Sequence, residues 1–216
     1  MQNAGATGDI SLGSDILTQG GQVSFTNDLT LTSNLTIDTG SGNTITFGGL
    51  VDGAQSLSIS GGNTGAVSFN GAVGSVTPLT SLSVTNSGSI SMATLSGGAL
   101  IRSGQVSLTS NGLVAVNGSG ANGGIDSDGT VAITAGSITQ GGRIIARNAA
   151  AGIILNADGA ITISNDLTVG TATGLIEINS GKSGVGNLTF VGTPTLTSDT
   201  IELTAGDGVG GVVATA

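Results

Sequence analysis

The chain contains no cysteine, histidine, tryptophan or tyrosine. Without cysteine there is no disulfide framework, zinc–thiolate site or thiol nucleophile. Without histidine there is no imidazole metal ligand and no histidine-based triad. Without tryptophan or tyrosine, the aromatic faces that commonly stack on sugars are missing too. Basic residues are few: Arg102, Arg143, Arg147 and Lys182, against 13 acidic ones, for a net charge of −9. Nucleic-acid binding needs clustered Lys and Arg to displace counterions, so it is excluded as a partner class. An anionic membrane surface is disfavoured for the same reason. No apolar run approaches 18 residues, so no membrane insertion through a spanning helix is expected. The opening Met1–Ala6 stretch lacks a charged region followed by an apolar run. It does not read as a secretory signal, so the expectation is either an excised or mature segment or export directed by something outside it.

Charged residues make up 8% of the chain, against about 25% in an ordinary globular domain. Solubility must come from Ser, Thr, Asn and the 40 glycines. Aliphatic side chains are nevertheless plentiful enough to fill a narrow core. Glycine interrupts nearly every window of ten, and strong helix formers are rare, so helices are not expected. Strand signals are everywhere, as runs of three to five residues bounded by Gly, Asn, Asp and Ser.

The runs repeat. Val23-Ser24-Phe25, Ile45-Thr46-Phe47, Val67-Ser68-Phe69 and Ile90-Ser91-Met92 start 22, 22 and 23 residues apart. In the first interval Leu29/Leu31 and Leu35/Ile37 add two more apolar pairs. A fixed long period with alternation inside it indicates a stacked array. Three inward pairs, with turns at Asn27-Asp28, Ser33-Asn34 and Thr39–Gly42, close one coil of roughly triangular section. Ser24, Thr30, Thr36, Thr46, Ser58, Ser68 and Ser83 then face outward. Val76-Thr77-Pro78 reads as a corner insertion. Residues 21–31 align without gaps on residues 159–169, an offset of six periods of 23. Residues 93–150 are less regular but keep Val106/Leu108, Val131/Ile133 and Ile153/Leu155. The expected fold is all-β: a single parallel β-helix (β-solenoid) over residues 1–216, with three short strands per coil, roughly 22 residues per coil and nine to ten coils. Such a stack would be on the order of 45 Å long. No capping helix is apparent, so the ends are expected to be cut from a longer rod or to stack on other molecules.

Residues 42–47 (GNTITF), 53–59 (GAQSLSI), 65–74 (GAVSFNGAVG) and 77–84 (TPLTSLSV) resemble the repeat regions of filamentous haemagglutinin-like proteins. The resemblance covers most of the chain, best over residues 8–92 and 155–205. It implies a right-handed β-helix on the outside of a Gram-negative-type cell, exported by a two-partner or autotransporter route. The secretion domain of that family usually carries Asn-Pro-Asn-Gly. That tetrapeptide does not occur here, so the resemblance is to the rod.

Candidate chemistry is sparse. Asp126-Ser127-Asp128-Gly129 holds the closest carboxylate pair. On a strand the two carboxylates would share a side and could serve glycoside chemistry; in a turn they would supply local hydrogen bonds. Asp126 and Asp128 are also the Ca²⁺ candidate, since Gly123-Gly124-Ile125-Asp126 partly echoes a calcium-binding nonapeptide. Asp28 and Asp166 recur at equivalent corners, which points to turn chemistry. Arg143 and Arg147 could meet an anionic sugar or form surface ion pairs. Thr30-x-Thr32 and Thr44-x-Thr46 raise the minor alternative of an ice-binding ladder.

The composition and repeat together point to a non-enzymatic extracellular structural or adhesive rod of a bacterial surface or secreted protein. No catalytic residue and no cofactor are expected. Self-association through coil ends or lateral faces, up to assembly into fibres, is expected, as are host or neighbouring-cell glycans or proteins as partners. The alternative is a polysaccharide-active lyase or hydrolase on the same fold, in which two or three acidic groups would converge in one groove.

Overall fold

The computed structural model describes residues 8–94, 100–118, 123–148, 150–170, 173–206 and 212–215. Its strands are two to six residues long, and no helix occurs among the described residues. All of the strand pairings are parallel, each strand meeting its counterpart one coil away.

Three faces result. The first carries Val23–Phe25, Ile45–Phe47, Ala66–Phe69, Ser89–Met92, Leu113–Val116, Ser137–Gln140, Ile161–Ile163, Leu188–Val191 and Val212–Thr215 in one nine-stranded sheet. The third is also nine-stranded, from Ile16–Leu17 to Thr200–Ala205. The second has a three-stranded part, Ile10–Leu12 to Val51–Asp52, and a five-stranded part, Ile101–Ser103 to Leu196–Thr197. Single bridges from Val51 to Val73 and from Val73 to Ile101 join the two parts.

The stack therefore has nine rungs and eight full turns. Ile16 and Leu203 occupy the same column eight steps apart, which averages about 23 residues per turn. At about 4.8 Å per rung the described rod is about 38 Å long, shorter than ten coils would make it. Val23 reaches Ile161 in six steps of register, so the 138-residue offset in the sequence is six physical rungs.

The core is the inward half of each strand. Val23/Phe25, Leu29/Leu31 and Leu35/Ile37 are all buried while Ser24 and Thr30 between them are exposed. Each fully buried aliphatic side chain contributes roughly 1.5–3 kcal/mol of transfer free energy, so a six-residue lining per turn outweighs any single surface contact. All four phenylalanines fall in one column: Phe25, Phe47 and Phe69, then Met92, Val116, Gln140, Ile163 and Phe190. Phe25 and Phe47 stack at 5.5 Å and Phe47 and Phe69 at 5.2 Å between ring centroids. Offset stacking of this kind adds to plain area burial.

The expected corner insertion lies where the second face thins to Val73 alone. Val76 is exposed, and the loop is tied back by Asp52, whose carboxylate accepts the Val76 and Thr77 amides at 3.0 and 3.1 Å. Gly74 starts the loop at a φ of +68°, and a Cβ there would collide with the carbonyl oxygen of Arg102. Only glycine satisfies both demands.

Candidate functional surfaces

The corner acids hold rungs together. Asp28 Oδ1 accepts the backbone amide of Leu50 at 2.8 Å, and Asp166 Oδ1 accepts that of Thr195 at 2.8 Å. Asp15 accepts the Thr36 amide and Asn34 the Ser56 amide in the same way. These bonds reach across a whole coil, 21 to 29 residues away. The recurrence of Asp28 and Asp166 is thus corner chemistry, but the bond is between coils and not within the turn. Each carboxylate satisfies an amide that the ladder leaves open where the chain bends.

Asp126 departs from the turn expectation. It lies on the strand Gly124–Ser127 of the second face, and Asp128 lies just beyond that strand's end. Ser127 points inward and is fully buried, so Asp126 points outward. Arg147 Nε and Nη2 donate one to each oxygen of its carboxylate. Arg102 Nε lies 4.0 Å from Asp126 Oδ2 on the other side. The guanidinium of Arg147 is held above its ordinary pKa, first by the hydrogen bond to Asp126 and then by that carboxylate's charge; partial burial opposes this, and the more distant charge of Asp128 adds the least. The two calcium candidates are therefore not equivalent: Asp126 is committed to an arginine while Asp128 is exposed. Among the described residues no group of three His, Cys, Asp or Glu is placed to hold a metal ion.

Arg143 sits at the start of the next strand, with Nη2 donating to Thr168 Oγ1 at 3.4 Å. All three arginines thus flank one rung of the second face, Arg102 on the rung before Asp126 and Arg143 and Arg147 on the rung after it. Sequence reasoning missed the Arg102–Asp126–Arg147 line, although its signal was present: the residues are 24 and 21 positions apart, each close to one period.

The third face carries a hydroxyl-lined trough. One depression of about 320 Å³ is lined by Asp15, Asn34, Thr36, Ser56, Ser58, Ser81 and Ser83. A second of about 300 Å³ shares Ser81 and Ser83 and adds Gln105, Ser107 and Thr130. Asp15 is the one acid in this trough, and its carboxylate already accepts the Thr36 amide. The converging acids of a polysaccharide-active groove are not assembled there.

The two Thr-x-Thr candidates separate in space. Thr30 lies on the second face and Thr46 on the first, so they do not extend one ladder. What does recur is a single outward file on the first face: Ser24, Thr46, Ser68, Ser91, Ala115, Thr139, Thr162 and Thr189 in register. Ser91 donates to Ser68 Oγ at 3.1 Å within it. No strand of this face contains Asp, Glu, Lys or Arg.

The ends of the stack differ from its middle. At the first rung Ile10, Ile16, Val23 and Phe25 border a depression of about 340 Å³, and at the last third-face rung Ile201 and Leu203 are exposed. Comparison with known proteins supplies no relative: no family model, no curated protein and no solved structure matches the chain.

Proposed function

We propose that the chain is a rod segment without enzymatic activity, serving reach, display or adhesion outside a bacterial cell. The observation that carries this reading is the use made of the repeated residues. Apolar repeats line the core, repeated corner acids clamp one coil to the next, and outward repeats are hydroxyls without a nucleophile–base partner. Nothing repeated is left over for chemistry. The extracellular setting is supported by the resemblance of residues 42–84 to filamentous haemagglutinin-like repeats and by a hydroxyl-rich surface with few charged residues.

A parallel stack ends in strands whose outer backbone groups lack a ladder partner. The apolar border at the first rung and the exposed Ile201 and Leu203 at the last fit the addition of another coil. That coil can come from a longer chain or from a second molecule, and the charge-free first face offers a lateral route.

Two assays test the reading. The purified protein should leave polygalacturonate and alginate uncut, and beads coated with it should adhere to host or neighbouring bacterial cells. Cleavage of either polymer would replace the rod with the polysaccharide-active alternative. Electron microscopy of the isolated protein separates filaments from single rods.

A further inference from the structure

The first face has nine rungs, and the middle one is Leu113–Val116. Its outward residues are Leu113, 42% exposed, and Ala115. One rung to either side, the outward pairs are Ser89/Ser91 and Ser137/Thr139. Two rungs away they are Ala66/Ser68 and Ala160/Thr162. The outward chemistry therefore reads the same in both directions from Leu113: an apolar centre, then hydroxyl pairs, then alanine with a hydroxyl.

We propose that this face binds a second copy of the chain, with the two rods side by side, antiparallel and related by a two-fold axis through the middle rung. The inference rests on the reading of the chain as a laterally associating rod and names the surface and geometry. Such an axis sets rung four of one copy on rung six of the other. Serine then meets serine or threonine, Ala66 meets the second copy's Ala160, and Leu113 meets its own counterpart. A two-fold contact must be self-complementary, which a chemically palindromic face satisfies. Both copies carry the same rung spacing, so the five central rungs meet in register, and beyond them Thr44 and Thr46 meet the polar pair Asn187 and Thr189.

Charge selects this face over the others. Two molecules of net charge −9 repel on approach. The arginine line and Asp52 occupy the second face, and Asp38, Glu177 and Glu202 the third, whereas strands of the first face hold no charged residue. The face is about 38 Å long and about 13 Å wide, so a pair would bury about 1,000 Å² in total, the lower bound for a specific contact. The pair is accordingly weak and reversible, and Leu113 at its centre is the side chain whose loss matters most.

Sedimentation velocity over a range from low micromolar to millimolar protein tests this. A reversible monomer–dimer equilibrium is expected, and Leu113→Glu should weaken it by about tenfold or more. Leu113 is exposed, so circular dichroism should show an unchanged fold; Thr139→Glu provides a second disruption, and Ser58→Glu on the third face should have no effect. The chain has no cysteine, so engineered thiols report without background. A mixture of Ala66→Cys and Ala160→Cys proteins should cross-link, while either alone should not. A monomer at every concentration, a dimer indifferent to Leu113→Glu, or cross-linking of Ala66→Cys with itself would each overturn the proposal. Polymer cleavage by the protein would overturn the rod role while leaving the cross-linking result to be read by itself.

Discussion

Arg147 reaches back one turn along the rod to grip both carboxylate oxygens of Asp126. The contact spans 21 residues of sequence and a single rung of structure. Arg147 is half exposed, so solvent screens the pair, and a surface pair of this kind contributes roughly 0.2–1 kcal/mol. Arg147→Ala should lower stability by about that amount in chemical denaturation, and the difference should shrink with added salt. The raised pKa of Arg147 gives a contribution that is complete below the ordinary guanidinium range and is lost only as pH rises through the higher folded value. The effect of Arg147→Ala should therefore not vary between mildly acidic and mildly alkaline buffer.

The Phe25–Phe47–Phe69 stack makes a sharper prediction. Phe47 is fully buried between the other two rings. Phe47→Ala should cost about 3–5 kcal/mol, the range for an aromatic removed from a close-packed core. Stability in a stacked array is largely nearest-neighbour. Hydrogen exchange should consequently quicken most at rungs one to three and least near Ile161–Ile163.

Gln140 stands in the same column as the phenylalanines and is fully buried. Its Nε2 donates to the Gly142 carbonyl, and its Oε1 accepts the amides of Ser164 and Asn165 at 3.1 Å each. A leucine would match its neighbours in polarity yet leave the Asn165 amide without its acceptor, while the Ser164 amide keeps the backbone carbonyl of residue 140 at 2.8 Å. Gln140→Leu should destabilise by about 1–3 kcal/mol, measured by denaturant titration. A stabilised variant would show that water can replace the amide.

Asp28 and Asp166 do one job at two places in the rod. Asp28→Ala should cost about 0.5–1.5 kcal/mol through the orphaned Leu50 amide. Asp28→Asn keeps an acceptor oxygen and should recover most of that. Asp166→Ala should match Asp28→Ala, since its partner, the Thr195 amide, is equivalent. Parallel thermal melts of the three variants check this.

The sequence alone determined the stack. Period-2 alternation inside a 22-to-23-residue repeat leaves few ways to bury Val23, Phe25, Leu29, Leu31, Leu35 and Ile37 together, and the glycine- and asparagine-rich gaps can only be corners. Local chemistry repeated in register is legible because each residue's environment is fixed by its position in the period. The surfaces were decided by tertiary structure. Coils of unequal length, from 21 to 25 residues on the third face, shift the sequence spacing of outward neighbours, so no fixed offset aligns them. Asp126 looked like half of a carboxylate pair until the next coil placed Arg147 against it. Thr30 and Thr46 both face outward in the sequence pattern, yet the corners put them on different faces. The charge-free first face, centred on Leu113, emerged only once nine separate strands were laid side by side, because parallel pairing makes neighbours of residues that the sequence holds about 23 positions apart.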